Sequence, residues 1–189
     1  MLYTVIFILA VWTILTFWAA AKGNTQKWEV GNPAFLRKAL IIYDPDPFYN
    51  LDEQVCRSFA EGLSENGIYV TIATVAAMND GRDRDYDLYI FCANTYNWRP
   101  DWAVSGFIKK DVVLKDKPVV AITLGAGSTR ASQRALEKII REKEARLLDS
   151  RSFWLLKPND ESRSEENNIK VAVNMVYVWS QEISRQPGW

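Results

Sequence analysis

The stretch "YDPDPFYNLDEQV", residues 43–55, gathers the side chains of this chain best placed for chemistry. Asp44 and Asp46 are each followed by a proline, and Tyr49 and Asn50 complete the segment. It joins an apolar run at residues 39–43 to a run with helical spacing, so it reads as a strand-to-helix loop. Such loops bind phosphate when glycine and hydroxyl residues leave N–H groups exposed at the helix N-terminus. Here there is no glycine, and the prolines remove two N–H donors. A carboxylate about 4 Å from a phosphate costs on the order of 4 kcal/mol at an effective dielectric near 20. Tyr49, Asn50 and the orphan N–H groups of the following helix remain as donors. Two outcomes stay open: phosphate held by an altered set of groups, or a phosphate site that is lost. Asp44 and Asp46 could also hold Mg²⁺ against a nucleotide phosphate, or act as turn formers and helix caps.

Composition narrows the chemistry. The chain has 189 residues and no histidine, which removes the commonest general base and the commonest metal ligand. Ser-His-Asp or Cys-His catalysis and a zinc site are disfavoured. Lys+Arg and Asp+Glu both total 23, so charge gives no argument for nucleic acid. Cys56 and Cys92 are flanked by apolar residues and read as buried free thiols, which fits a reducing compartment.

Residues 2–21 carry no charge. Twenty apolar residues in a helix reach about 30 Å, enough to span a bilayer core. The expectation is one N-terminal transmembrane anchor at residues 1–21. Ala19 and Ala21 before Lys22 also give the small-x-small pattern of a cleaved signal peptide. Against cleavage, no Lys or Arg precedes the run, and the run is long for a signal core. Lys22, Lys27, Arg37 and Lys38 follow it, which places the domain on the cytoplasmic side of a single-pass membrane protein. Residues 22–36 read as a polar tether and 37–189 as the folded domain.

Beyond the tether, strand and helix alternate. Apolar runs at 39–43, 68–75, 88–93, 118–124 and 153–156 read as five strands. Helical spacing covers 51–63, 100–109, 128–144 and 169–183. Asn50 and Glu53 suggest a capping box, and Asn66-Gly67 a helix stop. Trp102 and Phe107 are expected to turn inward; residues 80–85 read as a charged turn and 159–167 as a polar linker. The expected fold is α/β, a five-stranded doubly wound parallel sheet, preceded by one transmembrane helix. Ligands of such sheets bind beyond the carboxyl ends of the strands, where loops 44–50, 94–99 and 125–129 meet.

Three segments carry a resemblance. "YDLYIFCANTYNWRPDWAVSGFI", residues 86–108, and "PVVAITLGAGSTRASQRALEKII", residues 118–140, follow "KALIIY" and "VCRSFAEGL" in order. Together they resemble the flavodoxin-like family over roughly residues 38–160. The resemblance implies flavin mononucleotide (FMN), with its phosphate in the first loop and its isoalloxazine between the other two. Carried over by position, Thr95, Tyr96, Asn97 and Trp98 would line the ring, and Gly125, Ala126 and Gly127 would offer N–H groups to its polar edge. Trp98 or Tyr96 would stack on its face. Asp44, Asp46, Tyr49 and Asn50 stand where the family has Ser/Thr-x-Thr-Gly-x-Thr. Two function classes follow. One is a membrane-tethered, FMN-linked electron-transfer protein serving a redox protein or quinone partner. The other is a domain without flavin that acts as a protein-interaction module at the membrane. A response-regulator receiver shares the strand order and finds Thr123 and Lys157-Pro158, but Cys92 stands where it needs its phosphate-accepting Asp.

Overall fold

The computed structural model describes residues 2–19, 23–78 and 86–187. The charged turn at 80–85 lies outside the described residues, as do Ala20, Ala21 and Lys22. Helix α1 (Leu2–Ala19) is followed by β1 (Lys27–Val30), β2 (Arg37–Tyr43), α2 (Leu51–Ser64) and β3 (Ile68–Thr74). Then come β4 (Leu88–Tyr96), β5 (Arg99–Pro100), α3 (Trp102–Lys110) and β6 (Pro118–Gly125). The chain continues through α4 (Arg130–Glu142), β7 (Arg146–Trp154) and α5 (Asn168–Ser184).

The sheet has seven strands rather than the expected five, in the order β1-β3-β2-β4-β6-β7 with β5 on β4. The five expected strands form its parallel centre, β3-β2-β4-β6-β7. Period-two alternation divides their side chains between two apolar layers. Ile41 and Tyr43 join Val55, Phe59, Val176 and Trp179 under α2 and α5. Leu40, Ile42 and Phe91 join Phe107, Ile108, Leu136 and Ile140 under α3 and α4. This is a doubly wound sandwich, and its loops converge at the carboxyl edge.

The two added strands have physical reasons. β1 falls inside the segment read as a tether and pairs antiparallel with β3. Its Trp28 stacks on Tyr43 at 6.3 Å, with the Arg57 guanidinium 4.2 Å above the indole, which supplies apolar contact that four residues otherwise lack. β5 is two residues closing a tight hairpin on Thr95 and Tyr96. β7 begins seven residues before the expected 153. It is an edge strand, half-buried along most of its length, so Asp149, Ser150 and Ser152 are tolerated and hide the apolar signal. The Asn50–Glu53 capping box does not form. Asn50 Oδ1 accepts from Gln54 Nε2, Glu53 pairs with Arg57, and Asp52 accepts the Glu53 N–H instead. Phe107 is buried as expected, but Trp102 is half exposed.

The expected transmembrane helix is not found: among the described residues no helix is long and apolar enough to cross a membrane. The 18 residues of α1 rise about 27 Å, against a hydrocarbon core of about 30 Å. α1 instead lies against the carboxyl edge. Phe17 meets Trp102 edge-on at 4.8 Å, and Trp12 Nε1 donates to Asn97 Oδ1 at 3.0 Å. Its other apolar side chains, Leu2 to Ile14, remain largely exposed. Cys56 and Cys92 are buried free thiols, as read from sequence.

Close packing of α2 on α5 depends on Gly62. A Cβ there would overlap Ser180 Oγ and stand 2.7 Å from the Tyr177 carbonyl oxygen. Gly62→Ala is expected to destabilise the protein by about 1–3 kcal/mol, read as a lower denaturant midpoint. Gly106→Ala on α3, where a Cβ meets nothing within 4 Å, should leave stability unchanged or raise it by about 0.5–1 kcal/mol.

Candidate functional site at the carboxyl edge

The loop after β2 folds around its own carboxylates. Pro45 and Pro47 offer no N–H, so three N–H groups matter most in its turn. Phe48 and Tyr49 N–H donate to Asp46 Oδ1 at 2.7 and 3.1 Å, and Asp46 N–H donates to Asp52 Oδ2 at 2.6 Å. The remaining Asp46 oxygen accepts the Tyr96 hydroxyl at 2.6 Å, tying this loop to the end of β4. Asp44, 3% exposed, points away from the loop mouth and accepts the Gly23 N–H through both oxygens. It clamps the chain that arrives from α1.

Behind the loop, Asn94 organises two further acids. Its amide nitrogen donates to Asp52 Oδ2 at 3.0 Å and to the Asp44 carbonyl, while its N–H donates to Asp101 Oδ2. Asp101 also caps α3 by accepting the Val104 N–H at 2.8 Å. Burial pushes the Asp52 carboxyl up to about 6, against the hydrogen bonds from Asn94, Asp46 and Glu53. Burial pushes Asp101 up to about 8, helped by the negative charges of Asp44 and Asp52. Burial also raises the Tyr96 phenol, and its bond to Asp46 raises it further.

The hairpin Tyr96–Arg99 turns through Asn97 and Trp98, both at positive φ (49° and 60°). That is the backbone of a two-residue primed turn, usually given to glycine or asparagine. It aims the Trp98 ring outward, 64% exposed. Gly125 lets the β6–α4 loop close against β4: a Cβ there would lie 2.8 Å from Thr129 Cγ2 and 3.1 Å from Thr95 Cβ.

Between these loops and α1 lies a cavity of about 430 Å³. The expected residues Asp46, Tyr49, Thr95, Tyr96, Asn97, Gly125 and Ala126 line it. Asp44, Asn50, Trp98 and Gly127 do not. Asp44 is turned to Gly23, Asn50 to Gln54 and Trp98 to solvent, and a side chain at Gly127 would face Lys157, with its Cβ 3.3 Å from Lys157 Cβ. Trp98, read as a candidate to stack on a ring, thus stands outside the cavity. Trp12, Leu15 and Thr16 of α1 form the wall that sequence reasoning missed, along with Phe48, Asp52 and Asn94. The available signal was Trp12 and Thr16, two polar atoms one helical turn apart in an apolar run, which both bond Asn97.

The site does not fit the phosphate of FMN. The N–H groups of Asp46, Phe48 and Tyr49 are already given to carboxylates. Among the described lining residues there is no cation, while Asp46 and Asp52 are both acids. A dianion would replace satisfied hydrogen bonds with like-charge contact. Asp44 and Asp46 turn to different partners, and among the described residues no group of three or more Cys, Asp or Glu side chains could hold a metal ion.

The buried acids give a pH dependence. Asp101 and Asp52 hold their protons more tightly folded than unfolded, so their stabilisation is complete below about pH 4. It falls as pH rises, through about 6 for Asp52 and about 8 for Asp101. Denaturant midpoints should decline between pH 6 and 8, by on the order of 1 kcal/mol per pH unit for one proton. Asp101→Asn, which keeps an acceptor for Val104 N–H, should flatten that decline. An unchanged slope would mean Asp101 does not carry it.

No family model matches the sequence, and no curated protein matches it. Solved structures do. A flavodoxin from the domain Archaea superposes with a TM-score of 0.57 at 10% identity, covering 79% of this chain and 99% of that one. Oxidised flavodoxin 1 from Bacillus cereus gives 0.56 at 14% identity, covering 79% and 99%. The flavodiiron protein from Giardia intestinalis gives 0.61 at 13% identity over 78% of this chain, which spans about a third (35%) of that protein's length. At these identities the likeness speaks for architecture, and the chain has the flavodoxin-like α/β fold.

Proposed function

We propose that this chain is a membrane-associated, flavodoxin-like binding module that has given up the family's grip on FMN. The observation that carries this reading is the loop after β2, where Asp46 and Asp52 take the N–H groups that a phosphate would need. Membrane association is supported by α1, a helix without charge whose large apolar side chains are largely exposed, including those away from the carboxyl edge. A helix that is apolar all round calls for an apolar surrounding. The apolar run itself continues in sequence to Ala21, twenty residues in all. Phe48, Tyr49, Trp98 and Trp102, each about half exposed or more, ring the same edge as interfacial aromatics do. Lys22, Lys27, Arg37 and Lys38 after the run favour a cytoplasmic domain.

A second reading keeps FMN-linked electron transfer to a redox protein or quinone. The structural likeness to flavodoxins and a flavodiiron protein favours it. One experiment separates the two. The full chain is purified from membranes without added flavin, its visible spectrum is recorded, and FMN is titrated against flavin fluorescence. A colourless protein that leaves FMN fluorescence unquenched at micromolar concentrations is the expected result. A yellow preparation, or submicromolar quenching by FMN, would sink the module reading in favour of the electron carrier.

A further inference from the structure

We propose that the carboxyl edge is itself a lipid-docking surface, resting in the headgroup layer of a bilayer with Phe48, Tyr49, Trp98 and Trp102 inserted. This rests on the membrane association proposed above and adds which face of the domain meets lipid and how deep it sits.

Apolar exposure on this chain is lopsided. Outside α1, eight large apolar side chains are exposed among the described residues. Five of them, Phe48, Tyr49, Trp98, Trp102 and Leu156, stand on carboxyl-edge loops or at the start of α3. All four aromatic ones are in that group. The other three, Leu36, Val113 and Val178, are aliphatic and scattered, with Leu36 just before β2 and Val113 before β6 at the opposite, amino edge. Single apolar residues on a surface are ordinary, whereas a cluster on one side marks a contact surface. Tryptophan and tyrosine are favoured at headgroup level, where one end of the ring is apolar and the other meets water. The hairpin spends positive φ at both Asn97 and Trp98 to hold that indole outward.

α1 sets the depth. The edge holds this helix at Trp12, Thr16 and Phe17, through Asn97 and Trp102. From Leu2 to Leu9 its large apolar side chains are 49–87% exposed. The stretch from Leu2 to Trp12 is about 15 Å long, half of a hydrocarbon core of about 30 Å. A bilayer that covers it therefore has its hydrocarbon boundary near Trp12, level with Asn97 and beside Trp98. Charge suits a headgroup layer there. Arg99, Arg130 and Lys157 are exposed at the same edge, while Asp44, Asp52 and Asp101 are buried and Asp46 accepts the Tyr96 hydroxyl. Such cations attract anionic headgroups. The exposed acids Glu161, Glu165 and Glu166 gather at one corner before α5, the part of the edge turned furthest from lipid.

The full chain would be placed in vesicles of equal parts phosphatidylcholine and phosphatidylglycerol, with an environment-sensitive fluorophore on one introduced cysteine at a time. Cys56 and Cys92 are buried, so the label goes to the new thiol. Tyr49→Cys and Trp98→Cys sample two loops of the carboxyl edge, Leu36→Cys and Val113→Cys the amino edge, and Phe7→Cys samples α1. Near-ultraviolet circular dichroism checks that each variant folds. Phospholipids with a nitroxide just below the glycerol should quench both carboxyl-edge labels at least about twofold more than either amino-edge label. Nitroxides deep in the acyl chains should quench the Phe7→Cys label most. Carboxyl-edge labels quenched no more than the amino-edge ones, with the Phe7→Cys label quenched, would overturn the docking surface and leave α1 as the membrane contact. Absence of lipid quenching at every site would overturn the docking surface and the membrane association together.

Discussion

A carboxylate that belongs to the protein occupies the turn where this architecture ordinarily receives a ligand's charge, and much of the carboxyl edge is built around that fact. Asp46 accepts two backbone N–H groups and the Tyr96 hydroxyl, so one side chain shapes its own loop and anchors the neighbouring one. Asp52 extends the arrangement inward through Asp46 N–H and Asn94. Charge-assisted hydrogen bonds of this sort are roughly twice as strong as neutral ones. A phosphate loop without its phosphate leaves N–H groups unmet. Here the Asp46, Phe48 and Tyr49 N–H groups are met by the protein's own carboxylates.

That self-sufficiency has an electrostatic cost. Asp44, Asp52 and Asp101 are all at most 3% exposed, with no described cation lining the adjoining cavity. The cost is met in two ways. Donors are supplied by backbone and by Asn94, and Asp101 keeps its proton near neutral pH because burial and its acidic neighbours penalise the charge. A protonated Asp101 still caps α3 through Val104 N–H, since the carboxyl retains an acceptor oxygen. The cluster is thus a scaffold for the β4–β5 hairpin and the start of α3.

Much of the fold was legible because parallel strands buried on both faces leave unbroken apolar runs. "ALIIY" and "LYIFCA" became the centre of β2 and β4 for that reason. β7 was shifted because one side of an edge strand is free to carry Asp149 and Ser150. β1 escaped because its four residues hold no local signal apart from Trp28, whose partner Tyr43 is distant in sequence. In the site, residue types identified the loops but not the directions of side chains. Trp98 was read inward, yet positive φ at Asn97 and Trp98 turns it to solvent. Asp44 and Asp46 were read as a pair, yet one faces Gly23 and the other Tyr96. Trp12 and Thr16, one helical turn apart, mark a polar face on α1, but only tertiary structure brings that face to Asn97 and the cavity.

The position of α1 changes what the edge can be. In a free-standing sandwich the ring loops would open to water. Here Trp12, Leu15 and Thr16 close one side of the cavity, and the Asn97 amide is spent holding that helix instead of a ligand. A helix with exposed apolar side chains on its remaining faces cannot serve as a lid in water without its own large unfavourable exposure. The same side chains are at ease in hydrocarbon. The arrangement therefore joins two segments that sequence presents as separate, the apolar N-terminal helix and the loops whose cavity it helps to line. Moving α1 from its seat would break the Trp12–Asn97–Thr16 bonds, open the cavity to solvent and free a hairpin already strained at Asn97 and Trp98.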